Sequence, residues 1–215
     1  VSKGGKIVRK IKIIGAGPGS REYLLPTAID HAQECDLLLG SGRALELFSD
    51  LNIEMIDCSG RLSHYKKIIK DEAGEKRVGV VVTGDPGFYS LLAFLRREFS
   101  KEELEVIPGI SSIQYLFSKI ATPWQDYRLL SFHGRKINNL EEILVQSKGV
   151  TLLTDSKMNP GAIARELVDT PYRDYRAIVG ENLSYPEENI NIASIKEIAN
   201  KDDFQMSVMV IDNEW

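Results

Sequence analysis

Three times along the chain a short run of aliphatic and β-branched residues ends in a glycine-bearing loop. The first run is IVRKIKIIGAG (7–17), the second is VGVVVTGDPG (78–87) and the third is LEVIPGISS (104–112). Continuous apolar runs of this kind are typical of strands buried in parallel sheets. The carboxyl ends of such strands share one edge, where open α/β sheets bind their ligands. The pattern therefore predicts an α/β fold with three loops gathered at a ligand-binding edge.

Helical spacing separates these runs and continues beyond them. The predicted helices of this part are EYLLPTAIDHAQE (22–34), HYKKIIKDEAGEK (64–76) and SLLAFLRREF (90–99), and further strands are CDLLLG (35–40) and NIEMID (52–57). ATPWQD (121–126) has a Thr-Pro break and a polar composition, which indicates a linker. After it, strands and helices alternate again in YRLLSF, NNLEEILVQS, VTLLT, NPGAIARELV, YRAIVGENLS and MSVMVI. We therefore predict two α/β domains, residues 1–122 with the GAGPG, TGDPG and PGISS loops and residues 123–215.

The overall charge restricts the ligands that the chain can attract. A formal net charge of -4 on 215 residues gives no general attraction to nucleic acid or to an anionic membrane, so an acidic ligand must be met by a local group of arginines and lysines. The Lys-rich start VSKGGKIVRK lacks the apolar core of a signal peptide, and a cytoplasmic protein is expected. Cys35 and Cys58 are isolated and the three histidines have no metal-binding spacing, which predicts reduced thiols and no metal.

The first loop, GAGPGS (15–20), resembles a dinucleotide-binding loop only in part. Pro18 removes a backbone donor and Ser20 replaces the third glycine, which normally lets helix and strand pack closely. Asp36 opens the second strand, whereas a ribose-binding acid would close it. These departures argue against NAD and leave a tight packing turn as the alternative.

The second and third loops suit a ligand that is not a phosphate. TGDPG (83–87) has no lysine, and the Asp85 carboxylate would repel an anion. It suits amines, hydroxyls or positive charge, although Asp-Pro after a strand is also a common turn. In PGISS (108–112), Ser111 or Ser112 either caps the next helix or binds a ligand.

Four motifs together, GAGPG, VVTGDPGFYS, VIPGISS and VGENLSYPEE (179–188), resemble the tetrapyrrole (corrin/porphyrin) methylase family, which uses S-adenosylmethionine. The similarity spans residues 11–211. It implies a homodimer of two-domain subunits with the cofactor folded in the cleft between the domains. SFHGR (131–135) and LLTDSKMNPGAIARELV further resemble members of the anaerobic cobalamin (vitamin B12) pathway. They imply a methyltransferase acting on C5 of cobalt-precorrin-7. Because the sequence stops at Trp215, the second, C15-methylating activity of aerobic relatives is not expected.

The resemblance also implies which residues bind the two substrates. Cofactor contacts would come from Pro18, Thr83, Gly84, Asp85, Phe88, Ser111, Ser112, Thr154 or Asp155, and Leu183. Glycine at 84 would allow close backbone approach to the cofactor, and Asp85 would accept hydrogen bonds from it.

The corrin precursor carries many carboxylates, which suit bidentate guanidinium pairing. Arg135 is therefore the first candidate, followed by Arg43 and Arg61, although each could be an ordinary surface arginine. His133 would orient a substrate carboxylate or move a proton.

Other functions remain open from the residues alone. Within the family, a different ring position, uroporphyrinogen, ribosomal RNA ribose or a diphthine precursor are alternative substrates. From other classes, the alternatives are a nucleotide-binding dehydrogenase and a non-catalytic cofactor-binding module.

Overall fold

A computed structural model describes residues 9–132 and 139–215 of the chain. The chain divides into two compact units, Val1–Ser111 and Ser112–Trp215. Within the described residues each unit contains one five-stranded sheet with helices around it, so the predicted α/β class is confirmed. The second unit begins at the helix that follows the third glycine loop. The domain boundary after residue 122 stays a prediction.

The first unit is an all-parallel α/β sheet. Its strands are β1 (Ile11–Gly15), β2 (Leu37–Gly40), β3 (Glu54–Asp57), β4 (Val78–Val82) and β5 (Leu104–Ile107). Its helices are α1 (Pro26–Gln33), α2 (Gly42–Glu46), α3 (Leu62–Glu72) and α4 (Leu92–Glu98), with 3-10 turns at Arg21–Tyr23 and Lys101–Glu103. The strand order is β3-β2-β4-β1-β5, and each pair is parallel. The three strands that precede the glycine loops are therefore neighbours, with β1 in the middle.

Burial on both faces explains the continuous apolar runs. Every residue of β4 is buried. Val80 and Val82 pack with Ile69 of α3 and Leu95 of α4, while Val81 packs on the opposite face with helices α1 and α2. A strand covered on both sides has no polar face, so its sequence does not alternate.

The first helix is shorter than the sequence spacing predicts. It begins at Pro26, in the first turn of α1, where a missing N–H costs nothing because that group has no intrahelical partner. Residues Arg21–Tyr23 form a separate 3-10 turn. The first glycine loop is thus followed by a short connection before α1 starts.

The second unit has a mixed sheet. Its elements are α5 (Ser112–Lys119), β6 (Tyr127–Ser131), α6 (Leu140–Val145), β7 (Gly149–Leu153), α7 (Pro160–Leu167), β8 (Arg176–Glu181), β9 (Asn189–Ser194), α8 (Ile195–Ile198) and β10 (Ser207–Asp212). The strand order is β6-β7-β10-β8-β9. Only the pair β6 and β7 is parallel; the other described pairs are antiparallel.

One face of the second sheet carries the core of this unit. Residues of α6, α7 and α8 pack there against Val150, Val179 and Met209. The Asn159 side chain accepts a hydrogen bond from the Ala162 N–H at 2.8 Å and caps α7, as the NP dipeptide favours. In the described parts of the chain, no helix has the length and apolar character needed to cross a membrane.

Candidate functional site

The first two glycine loops are joined through their backbones at the carboxyl edge of the first sheet. The Gly84 N–H donates to the Gly17 carbonyl at 2.7 Å, and the Gly17 N–H donates to the Gly84 carbonyl at 3.4 Å. These bonds form an isolated antiparallel bridge beyond the ends of β1 and β4. The Ala16 N–H adds a bond to the Val82 carbonyl at 2.8 Å. The two loops therefore leave the sheet as one bonded unit.

The third loop packs so closely against these two bonded loops that side chains are excluded at the contact. A Cβ atom on Gly109 would lie 2.3 Å from the Gly84 carbonyl oxygen, and a Cβ on Gly15 would lie 2.5 Å from the Gly109 nitrogen. Both distances are far below van der Waals contact. Gly84 has φ +69°, a left-handed conformation that favours glycine. Packing between loops thus accounts for these glycines, and contact between Gly84 and a cofactor stays a prediction.

Asp85 connects the second loop to the third. Its Oδ1 accepts the Gly87 N–H at 2.8 Å, and its Oδ2 accepts the Gly109 N–H at 3.2 Å. Bonds to an ionised acceptor are stronger than those between neutral groups. Sequence reasoning missed this role, because nothing local to TGDPG indicates a partner 24 residues away. Each carboxylate oxygen keeps a further lone pair, so acceptance from a cofactor also stays a prediction.

The other predicted contacts of the first unit lie in these loops or directly after them. Pro18 is buried, Thr83 is exposed, and Phe88 is half-buried. The Phe88 ring packs edge-to-face on Tyr89, with centroids 4.9 Å apart. Tyr89 has φ 48°, a conformation that residues with a Cβ seldom adopt. Ser111 is buried, and it immediately precedes α5.

Two arginines follow neighbouring strands at the carboxyl edge of the same sheet, Arg43 in the first turn of α2 and Arg61 just before α3. Arg43 follows β2 and Arg61 follows β3, and both are exposed. Asp57, at the end of β3, connects these two segments, because its carboxylate accepts hydrogen bonds from the hydroxyl and N–H of Ser59 and from the N–H of Gly42, the first residue of α2. The same bonds hold the pKa of Asp57 below its ordinary value. A carboxylate that stays ionised keeps both segments in place.

The predicted contacts of the second unit lie at the ends of β7 and β8. The Thr154 hydroxyl donates to the Ser207 carbonyl at 2.7 Å. Asp155 closes a turn, in which its Oδ1 accepts the N–H groups of Lys157 and Met158 at 2.8 Å. Leu183 is only 3% exposed.

His133 and Arg135 belong to residues 133–138, which lie outside the described residues. Their roles in substrate binding and proton transfer therefore stay predictions. In the two described ranges, no group of three or more His, Cys, Asp and Glu side chains is arranged to hold a metal ion.

Comparison with known proteins gives consistent matches over nearly the whole chain. Residues 10–199 match the family model described as tetrapyrrole (corrin/porphyrin) methylases. A probable cobalt-precorrin-7 C(5)-methyltransferase from Methanocaldococcus jannaschii is 36% identical, covering 95% of this chain and 98% of the relative. A cobalt-precorrin-7 C(5)-methyltransferase from Salmonella typhimurium is 30% identical, with coverages of 95% and 99%.

Solved structures share the fold. A precorrin-6Y methylase from Archaeoglobus fulgidus superposes with a TM-score of 0.76 at 21% identity, covering 96% of this chain and all of the other. A uroporphyrin-III C-methyltransferase from Thermus thermophilus, complexed with S-adenosylhomocysteine, superposes with a TM-score of 0.77 at 17% identity and coverages of 94% and 97%.

Because Asp85 bonds to both the second and the third loop, we expect the Asp85→Asn substitution to loosen these two loops. The amide keeps the shape but presents one oxygen instead of two, so either Gly87 or Gly109 loses its acceptor. We expect hydrogen exchange to accelerate in residues 83–88 and 108–111, with a loss of about 1–3 kcal/mol in the free energy of unfolding. Asp126→Asn, at an exposed position, is the control. Unchanged exchange in both loops would show that the carboxylate does not hold them.

Proposed function

The chain belongs to the tetrapyrrole (corrin/porphyrin) methylase family, and from this we propose that it transfers the methyl group of S-adenosylmethionine to C5 of cobalt-precorrin-7. The reaction is a step of anaerobic cobalamin biosynthesis. One observation carries the proposal: two relatives named for this reaction are 36% and 30% identical to the chain and align over nearly their full length. An alignment that covers 95% of the chain spans both units.

The strand order argues against the dehydrogenase alternative. Dinucleotide-binding folds have the order 3-2-1-4-5-6, with the pyrophosphate beside the loop after the first strand. Here β1 lies between β4 and β5, and the loop after it is covered by two others. The three loops contain no lysine or arginine, and Pro18 cannot donate a backbone hydrogen bond. This edge is therefore poorly suited to a pyrophosphate.

The same features suit S-adenosylmethionine, which supplies an electrophilic methyl group on a positively charged sulfur. We propose that its binding residues are Pro18, Thr83, Gly84, Asp85, Phe88, Ser111, Ser112, Thr154 or Asp155, and Leu183. The remaining lone pairs of the Asp85 carboxylate and the side-chain hydroxyl groups of Thr83 and Ser111 can bond to the amino and hydroxyl groups of the ligand. The Asp85 carboxylate disfavours anions and is compatible with a cation.

The chain's contribution to the reaction is alignment. The ring carbon forms a bond to the methyl carbon. The bond between the methyl carbon and sulfur breaks, and its electron pair remains on sulfur. No covalent bond to the protein is needed. Holding two reactants in line supplies several kcal/mol of the barrier, about 7 kcal/mol or more in favourable cases. Loops bonded to one another before the ligands arrive provide such a rigid frame.

A site that binds the tetrapyrrole needs positively charged residues, because the side chains of the tetrapyrrole carry carboxylates. We propose that Arg43 and Arg61, on the two segments connected by Asp57, contribute to binding it, together with Arg135. Guanidinium groups pair with carboxylates in a bidentate geometry. His133 is our candidate for orienting a substrate carboxylate or moving a proton. A homodimer acting in the cytoplasm completes the proposal and rests on the family resemblance.

Turnover with labelled cofactor tests the proposed reaction. Purified protein is incubated with cobalt-precorrin-7 and methyl-labelled S-adenosylmethionine, and the product is analysed by mass spectrometry and NMR. We expect one labelled methyl group at C5. S-adenosylhomocysteine should raise the melting temperature and NAD should not, because only a ligand of the native state stabilises it. Label at another ring carbon would retain the family and reject the C5 assignment.

Replacing Arg43 and Arg61 tests whether the carboxyl edge of the first sheet binds the tetrapyrrole. Arg61→Ala and Arg43→Ala should each raise the KM for the tetrapyrrole about fivefold, since a charge-assisted hydrogen bond contributes roughly 1 kcal/mol at an exposed site. The KM for S-adenosylmethionine should stay constant. Arg173→Ala, at an exposed position of the second unit, is the control. An unchanged tetrapyrrole KM would remove that arginine from the proposed binding edge.

A further inference from the structure

The segment that follows β8 contains a turn in an unfavourable conformation. Asn182 has φ 44° and Ser184 has φ 67°, the left-handed region that residues with a Cβ seldom occupy. Leu183 lies between them and is 3% exposed. It packs so closely on Gly180 that a Cβ there would lie 2.7 Å from the Leu183 Cδ2 atom. Such a turn persists only where its surroundings hold it.

Glu188 provides the bond that closes this turn. Its Oε2 accepts the N–H of the strained Ser184 at 2.6 Å. Its own N–H donates to the Tyr185 carbonyl at 3.0 Å, and the Tyr185 N–H donates to the Asn182 carbonyl at 2.9 Å. The Glu188 carboxylate therefore bonds directly to one of the two left-handed residues.

The same carboxylate is bonded to helix α5. The Lys119 ammonium lies 3.3 Å from Glu188 Oε1, and Tyr115 forms a side-chain hydrogen bond to Glu188. Tyr115 is 4% exposed, and the Lys119 nitrogen lies 5.1 Å from the centre of its ring. Glu188 thus joins the turn at Leu183 to the helix that begins at Ser112.

The charge state of the cluster favours these bonds at neutral pH. Burial alone would raise the pKa of Glu188, but hydrogen bonds from Tyr115, Ser184 and Lys119 bring that pKa below its ordinary value. Burial, followed by the bond to Glu188, raises the pKa of Tyr115 to about 12. The carboxylate is therefore ionised, and the phenol stays neutral and can donate to it.

We propose that Glu188 is a positioning residue for the cofactor, which it serves by holding the turn at Leu183 in its binding conformation and tying that turn to α5. The inference rests on the proposed function, because Leu183 and Ser112 are residues assigned there to S-adenosylmethionine binding. A turn that is already ordered costs a ligand less on binding than one that must be ordered first. Loss of the carboxylate should therefore weaken cofactor binding and leave tetrapyrrole binding unchanged.

Calorimetric titration with S-adenosylhomocysteine, combined with kinetics, tests this role. Glu188→Ala should raise the Kd for S-adenosylhomocysteine and the KM for S-adenosylmethionine about tenfold, as expected for the loss of a charge-assisted hydrogen bond. The kcat and the KM for cobalt-precorrin-7 should change by less than about twofold. Glu188→Gln retains one acceptor oxygen for Ser184 and should give a smaller increase in Kd, about threefold. Glu187→Ala, at the exposed neighbouring position, should behave as wild type.

A second variant keeps the test decisive if Glu188→Ala does not fold. Tyr115→Phe removes only the hydroxyl bond on the α5 side and should raise the Kd about threefold. Wild-type Kd values for Glu188→Gln and Tyr115→Phe would overturn the proposal, and so would equal increases in the KM of both substrates, which would indicate general distortion.

The titration also separates this proposal from the proposed function. Wild-type protein that binds S-adenosylhomocysteine but leaves cobalt-precorrin-7 unmethylated would reject the proposed substrate, while the comparison of Kd values would still decide the role of Glu188. Wild-type protein that does not bind S-adenosylhomocysteine would overturn both.

Discussion

The close packing of three backbone segments at one edge of a parallel sheet is the constraint on which the candidate site depends. A single methyl group added at Gly109 would lie 2.3 Å from the Gly84 carbonyl oxygen, so the loops after β1, β4 and β5 can meet only through glycine. The strand order makes this meeting possible, because β1 lies between β4 and β5. Asp85 then bonds the second loop to the third.

This arrangement fits a reaction in which the protein mainly aligns its substrates. Methyl transfer requires the attacking carbon, the methyl group and the sulfur to be in line, and alignment of reactants is a large source of rate acceleration. Carboxylates stabilise the loops in both units: Asp85 and Asp57 in the first, and Glu188 in the second. In each case the carboxylate accepts hydrogen bonds from backbone N–H groups, so acidic side chains connect segments that are distant in the sequence or hold a turn closed.

Much of the fold could be predicted because the relevant signals are local. VGVVV predicts β4 with its observed bounds, and the apolar runs ending in glycine correctly indicate parallel strands with adjacent loops. The four motifs identify the family, which the comparisons confirm. Three elements escaped prediction for physical reasons. Strand β9 is an edge strand with half-exposed residues, and α2 and α8 are only five and four residues long. The partners of Asp85 and Glu188, and the left-handed residues at 89, 182 and 184, depend on contacts between distant segments that no local pattern encodes.

Cofactor binding should depend on the loop packing at Gly109, and one titration tests this dependence directly. S-adenosylhomocysteine is titrated calorimetrically into Gly109→Ala and into Gly74→Ala, a control position where an added Cβ would meet no atom within 4 Å. We expect Gly74→Ala to bind as wild type, and Gly109→Ala to keep its fold by circular dichroism but lose affinity by more than about tenfold, since displacing a packed backbone misplaces every group bonded to it. Wild-type affinity in folded Gly109→Ala would show that cofactor binding does not depend on this packing.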